Sequence, residues 1–249
     1  MVFLISAAFK DDKIDLTAMQ EDLSSYKGKT STSSPSPHEW ENAFGDADVV
    51  FCITITSTLS GTYNSAVIAK DIYEQNHAGR KVYVLDSLST GPEIALFIEK
   101  IAELIKAGFA PDDIYKTLLE YKDKTHLYFS LASLNNFAKN GRISPVIAAG
   151  IGLLGVRVVG KASDEGTLLP LDKCRGEKRA LKKLIDHLKE CGYTDGKIII
   201  AHNNNEAGAL ELKKLIENTF GIFNGEIQKT RALCSYYAEP GSLLIGFEA

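Results

Sequence analysis

Small hydroxyl residues gather at three places in this chain, and each gathering precedes a stretch of helical character. They are Thr30-Ser31-Thr32-Ser33-Ser34-Pro35-Ser36-Pro37, Thr56-Ser57-Thr58-Leu59-Ser60-Gly61-Thr62 and Ser87-Leu88-Ser89-Thr90-Gly91. The start of a helix presents unpaired N–H groups and about half a positive charge, and hydroxyls add further donors. Taken singly, each loop reads as a helix cap. Converging, the three would make an anion site built almost without Lys or Arg. A di- or triphosphate calls for a lysine, an arginine fork or a metal, whereas hydroxyls and backbone donors suffice for one carboxylate.

The elements that would position these loops are legible on either side of them. Asp48 to Ile55 reads as a buried strand, a helix follows from about Tyr63 to Asn76, and Val82 to Leu85 reads as the next strand. A helix opens at Pro92 and stops at Gly108. This strand–helix–strand–helix order predicts a parallel sheet, with the second and third loops at its carboxyl edge, where open α/β sheets bind ligands. Ser36 and Glu39 form a capping box for a short helix through Trp40 and Phe44.

The second half changes character, with a soft boundary near Lys124. Leu134 to Lys139 is read as helical, and Ser144-Pro145 caps an apolar helix ending near Leu154-Gly155. Val156 to Lys161 and Thr167 to Leu171 flank the turn Asp164-Glu165-Gly166 as a hairpin. A basic amphipathic helix spans Glu177 to about Lys189. Ile198 to Ala201, a helix around Leu210 to Leu215 and a terminal strand Leu243 to Phe247 complete the pattern.

Composition narrows the function classes. The 249 residues are 45% hydrophobic and 24% charged, ordinary for a globular protein of one large domain or two smaller ones. A net charge of -4 lacks the basic excess of a nucleic-acid binder. Cys52, Cys174, Cys191 and Cys234 lie far apart with no CxxC, which argues against a zinc cluster or disulfide scaffold and for a reducing cytoplasm. The first residues lack a basic signal-peptide start, and the longest uncharged run, Ser144 to Val156, is too short to span a bilayer.

Several familiar patterns fail on inspection. Gly155 to Ala162 has Walker spacing, but Ala162 stands where Ser or Thr would hold magnesium and the intervening residues are strand formers. Gly150, Gly152 and Gly155 have dinucleotide spacing but end a helix rather than open one. No GxSxG elbow occurs, and His38, His77, His126, His187 and His202 show no ligand spacing. Only His202, after a strand, invites attention. No metal and no cofactor is expected.

Longer segments of the chain resemble one family. Thr32 to Pro37 is similar to the TSxPSP segment of DegV proteins, and Ile53 to Ala66 resembles their long S-x-L-S-G-T-Y-x-S-A signature. Asp86-Ser87 with Ser89 and Gly91, Asn140 to Ser144, Lys173 to Gly176 and Pro240 to Phe247 also match in the family's order. The resemblance covers nearly the whole chain from about Thr30. It implies an α/β protein with the two-domain DegV/dihydroxyacetone-kinase-like (EDD) fold. A parallel-sheet N-terminal domain would occupy residues 1–123 and an α+β C-terminal domain, covering a lipid tunnel, residues 124–249.

The resemblance also implies a fatty-acid-binding role of the FakB kind. The protein would hold a long-chain fatty acid and present it to a separate ATP-dependent fatty acid kinase, with no turnover of its own. Carried onto this sequence, Thr32 and Ser60 would hold the carboxylate, with Ser33, Gly61, Thr62, Ser87 and Tyr237 around it and Arg142 as the nearby cation. Tunnel candidates are Phe129, Leu131, Val146, Ile147, Ile151 and Leu154. Arg175, Lys178 and Arg179 are candidates for kinase docking.

Two departures from the family pattern stand out. The strand and TDST-type loop with which the family usually begins are not visible before Val2, which reads as a truncated or wrongly started chain. Tyr237-Ala238-Glu239-Pro240-Gly241 stands where the family often has HxGPG, so a tyrosine replaces histidine and Glu239 adds a carboxylate. Tyrosine still donates a hydrogen bond but stays neutral near pH 7. Two other readings stay open: a dihydroxyacetone-kinase-like component, which needs a pocket histidine for the triose, and a degenerate interaction protein that has lost its lipid.

Overall fold

The computed structural model describes residues 2–6, 15–26, 30–144 and 155–249. Two sheets organise it. The first is parallel, in the order β1 (Val2–Ser6), β2 (Val49–Thr54) and β3 (Lys81–Asp86). The N-terminal residues thus supply an edge strand, Ile5 opposite Cys52.

Strand β2 is an unbroken apolar run because both its faces are covered. Val50 and Cys52 pack with Trp40, Phe44, Ala66 and Tyr73 from helices α2 (Pro37–Phe44) and α3 (Thr62–Asn76). Phe51 and Ile53 pack with Phe97, Ile101, Ile114 and Leu118 from α4 (Pro92–Lys106) and α5 (Pro111–Tyr121). Burial pushes the Cys52 thiol well above its ordinary range, so it behaves as an apolar core residue. The capping box holds: Ser36 Oγ accepts from Glu39 N, and Glu39 Oε2 accepts from Ser36 N at 2.9 Å.

The second sheet has six strands, in the order β6 (Leu168–Arg175), β5 (Val156–Ala162), β4 (Thr125–Leu131), β9 (Leu243–Glu248), β7 (Ile198–His202) and β8 (Gly225–Lys229). All neighbouring pairs are antiparallel except β7 and β8. One face packs against helix α7 (Glu177–Glu190) and helix α8 (Glu206–Phe220) through Leu181, Leu184, Leu188, Leu212 and Ile216. The other face carries Leu127, Phe129, Leu131, Val158 and Leu244.

Helix α4 joins the two sheets. Its residues share a core with Phe51 of the first sheet and Ile199 of the second. Contact is closest at Gly246, where a Cβ would lie 2.4 Å from Glu93 N and 2.5 Å from the Pro92 carbonyl carbon. No side chain fits between this helix start and β9, a physical reason for glycine in the terminal motif.

The Walker-like segment is strand β5, as its strand-forming residues implied. A Cβ at Gly160 would meet the Phe129 ring at 2.7 Å and Leu169 O at 2.5 Å, so this glycine serves packing. The sequence reading omitted β1, α1 (Leu16–Ser25), α5, β4, β8 and α9 (Ala232–Ala238). Strand β8 is polar and half-exposed at a sheet edge, so it lacks an apolar alternation, and α9 is too short to display a helical period. The apolar helix expected after Ser144, with Val146, Ile147, Ile151 and Leu154, lies outside the described residues.

Candidate functional site

The three hydroxyl loops meet. Thr56 N donates to Ser89 O at 2.9 Å, joining the loops that follow β2 and β3. Asp86, at the end of β3, accepts from Ser57 N and Leu88 N, both at 3.1 Å, and holds the same two loops together. Ser65 Oγ donates to Pro35 O at 2.6 Å, which draws in the loop before α2. The β5–β6 turn closes over them: Thr58 Oγ1 donates to Glu165 O at 2.6 Å, and a Cβ on Gly166 would strike Thr56 Oγ1 at 2.1 Å.

Beneath this meeting point lies a cavity of about 770 Å³ between the two sheets. Part of its wall is polar, with Thr30 to Ser34, Ser60 to Thr62, Arg142 and Tyr237. Much of the remainder is apolar, including Leu127, Phe129, Leu131, Leu168 and Leu244. The volume suits a small-molecule site, typically about 300–1,000 Å³.

Hydroxyls on the polar wall occur in pairs. Ser60 Oγ and Thr62 Oγ1 are 2.7 Å apart, and Thr62 N also donates to Ser60 Oγ. Thr32 Oγ1 and Tyr237 Oη are 2.8 Å apart. In each pair one O–H is spent on the other oxygen, which leaves the second O–H for a ligand. A third pair, Thr30 Oγ1 and Tyr236 Oη at 2.7 Å, lines the same cavity, so the wall offers several O–H donors of the kind that carboxylate oxygens accept. Arg142 supplies the positive charge. Its Nε donates to Leu59 O at 3.3 Å and its Nη1 to Asn140 O, both neutral acceptors. The α3 N-terminus adds its dipole, since Gly61 provides no side-chain cap and Thr62 begins the helix.

Both tyrosines line the cavity and are held there by their neighbours. Tyr236 Oη accepts from Asn140 Nδ2 at 2.9 Å and lies 2.7 Å from Thr30 Oγ1. The rings of Phe137 and Tyr237 stand 4.9 Å apart, so Tyr237 is wedged by aromatic contact as well as hydrogen-bonded.

Of the sequence-derived site residues, Thr32, Ser33, Ser60, Gly61, Thr62, Arg142 and Tyr237 all line this one cavity, as do Phe129 and Leu131. Ser87 does not. It is buried, and its Oγ accepts from Ser89 N at 3.1 Å, so Leu88, Ser89 and Thr90 represent that loop on the wall. His202 is also outside the cavity wall. Its Nδ1 accepts from Asn205 N in a turn, and burial lowers its pKa. Sequence reasoning passed over Tyr236 and Asn140 as site residues. Tyr236 neighbours Tyr237 on a helix whose existence had no periodic signal. Asn140 enters the sequence reading only as part of the family-like segment Asn140 to Ser144.

Ser89 leads to a buried acid. Glu93 accepts from Thr125 Oγ1 at 2.8 Å, and burial raises its pKa against the opposing pull of nearby Ser89, Thr125 and Lys122. Among the described residues, no group of three His, Cys, Asp or Glu side chains is placed to hold a metal ion. No helix among them is long and apolar enough to cross a membrane.

The family model for DegV, described as a family of uncharacterised protein, matches residues 5–249. The chain belongs to the DegV family. A DegV domain-containing protein of Streptococcus pneumoniae strain R6 is 42% identical over 241 residues, 96% of this chain and 86% of that protein. Among solved structures, a DegV family protein from Eubacterium eligens loaded with heptadecanoic acid is 36% identical with a TM-score of 0.96 over 100% of both chains. The fatty acid kinase B3 protein of S. pneumoniae, loaded with linoleic acid, is 41% identical with a TM-score of 0.89 over 94% of this chain and 84% of that one. The α/β architecture of two packed sheets is therefore the DegV fold.

The paired hydroxyls give a direct expectation. Ser60→Ala and Thr32→Ala should each weaken binding of a long-chain acid by about 1–2 kcal/mol, the order of one lost hydrogen bond. Titration of delipidated protein with a radiolabelled acid measures this. Unchanged affinity in both variants would remove the carboxylate from this wall.

Proposed function

We propose that this DegV protein is a cytoplasmic carrier that binds a long-chain fatty acid. It presents the carboxyl group to a separate ATP-dependent kinase for acyl-phosphate formation and has no turnover of its own. The observation that carries this reading is a single cavity whose wall combines paired hydroxyls and Arg142 with an extensive apolar lining. The loaded structures from E. eligens and S. pneumoniae, both more than one-third identical to this chain, support the ligand class. The kinase role is carried by the second of these alone, through the system to which that protein belongs.

The energetics suit a lipid. About fifteen buried methylenes at ~0.8 kcal/mol each contribute on the order of 12 kcal/mol gross. The carboxylate contacts add a few kcal/mol more and fix orientation. Affinity thus comes chiefly from the tail and register from the head. The triose reading lacks support, because no histidine is among the described residues lining the cavity.

Mass spectrometry of organic extracts from the purified protein should find a long-chain acid at near-stoichiometric amounts. Repeated delipidated preparations that bind no labelled acid would end the proposal. For the kinase, Arg175, Lys178 and Arg179 are all exposed where β6 passes into α7. Reversing the three charges should lower acyl-phosphate formation by roughly tenfold or more, as expected when steering and contact charges are lost, with lipid affinity unchanged. Wild-type coupling after reversal would remove the patch from the docking surface.

A further inference from the structure

Glu239 stands in a main-chain conformation that side-chain-bearing residues rarely adopt. Its φ of 59° and ψ of 158° lie in a region used almost only by glycine. It follows α9 directly, and Pro240 and Gly241 come next. Such strain persists only when surrounding contacts hold it, and those contacts can be read here. Glu239 N donates to Ser235 O at 3.1 Å, and Ser242 Oγ donates to Ala238 O while accepting from Ala132 N at 3.0 Å. Gly241 O accepts from Arg157 Nη1 at 2.7 Å and from Asn205 Nδ2 at 2.8 Å.

The strained conformation sends the carboxylate to a particular place. Glu239 Oε1 accepts from Asn136 N at 3.0 Å, in the first turn of the short helix α6 (Asn135–Lys139). Asn136 in turn donates from Nδ2 to Tyr236 O at 2.8 Å and accepts at its main-chain oxygen from Asn140 Nδ2 at 2.9 Å. Asn140 Nδ2 also reaches Tyr236 Oη, and Asn140 O receives Arg142 Nη1. An unbroken chain of hydrogen bonds therefore runs from Glu239 through Asn136 and Asn140 to Arg142 and to the Tyr236–Thr30 contact.

We propose that Glu239 is a positioning residue for the carboxylate-binding wall: it accepts a glycine-like backbone so that its side chain can clamp α6 and set Asn140 and Arg142. This inference rests on the fatty-acid reading and names a residue through which that site would be held. A glycine at this position would be the comfortable choice for the backbone, but it could not make the clamp. Glutamate is understandable there if orientation of the site outweighs local comfort.

Three variants separate positioning from bulk stability. Glu239→Gly relieves the backbone and loses the clamp, Glu239→Ala keeps the strain and loses the clamp, and Glu239→Gln keeps both. Delipidated proteins would be titrated with [14C]oleic acid and with labelled oleyl alcohol, and melting temperatures recorded alongside. Glu239→Gly should melt several degrees above Glu239→Ala, since relief of one strained residue is worth about 2–6 °C in a chain of this size. Both should nevertheless bind the acid roughly 5- to 20-fold more weakly than wild type, the loss expected when one positioning hydrogen bond goes. Alcohol binding should change little, and Glu239→Gln should restore acid binding.

Acid affinity that simply follows melting temperature across the variants would overturn the proposal, as would unchanged acid affinity in Glu239→Gly and Glu239→Ala. Equal losses for acid and alcohol would do the same. Wild-type protein that binds neither probe would instead overturn the fatty-acid reading.

Discussion

Replacing Arg142 by Met should weaken binding of a long-chain acid by roughly 10- to 150-fold, since hydrogen bonds to charged groups are worth about 1.5–3 kcal/mol. Arg142 lines the cavity and meets only main-chain oxygens, of Leu59 and Asn140, among the described residues. Those contacts orient the guanidinium without neutralising it, so its charge is left for a ligand anion. Methionine preserves much of the aliphatic stem, which separates loss of charge from loss of packing. The matching primary alcohol, with no charge to meet, should bind both proteins nearly equally. Calorimetric titration with acid and alcohol gives the ratio directly. Equal losses for both ligands would mean that Arg142 shapes the wall and does not pair with the carboxylate.

Phe129→Ala should cost about 3–5 kcal/mol of stability in the lipid-free protein, the range for deleting a buried aromatic ring. Phe129 is 4% exposed in the middle of β4, and its ring fills the space that Gly160 leaves on the neighbouring strand. Removing it enlarges the cavity on its apolar side. Longer acids should then recover part of the lost stability, because each added methylene that becomes buried returns about 0.8 kcal/mol. Urea unfolding with acids of increasing length would show the preferred length moving upward. A loss below about 1 kcal/mol, with no change in length preference, would exclude this ring from the acyl wall.

Both expectations concern residues that the sequence made visible by different routes. Strand β2, helix α3, strand β3 and helix α4 were readable because each obeys a strong local rule: an unbroken β-branched run, helical spacing, or proline at a helix start. The hydroxyl loops between them were readable because their composition is unusual. Strand β4 escaped notice although it carries Phe129 and Leu131. Its sequence, THLYFSL, follows a charged turn, and both of its faces are packed, which removes the alternation that marks a half-buried strand.

Side-chain assignment was less legible than element order. Ser87 and Ser89 share a loop and a side-chain type, yet only Ser89 lines the cavity, while Ser87 closes a local turn. Nothing in residue type distinguishes them, because the choice depends on how β3 ends against β2. The same holds for the adjacent tyrosines. Tyr237 meets Thr32 and Tyr236 meets Thr30, contacts that bridge more than two hundred residues of sequence.

Local chemistry in the chain was enough to determine the alternation of strands and helices in its first half, the presence of anion-seeking loops, and the motifs that mark a DegV protein. These depend on neighbours within a few residues. Tertiary structure alone decided which hydroxyls pair, that Arg142 remains free of a described carboxylate, and that Glu239 accepts strain to reach Asn136. Each of these is set by the closing of two sheets around one cavity, where distant segments meet at hydrogen-bonding distance and no local propensity records the meeting.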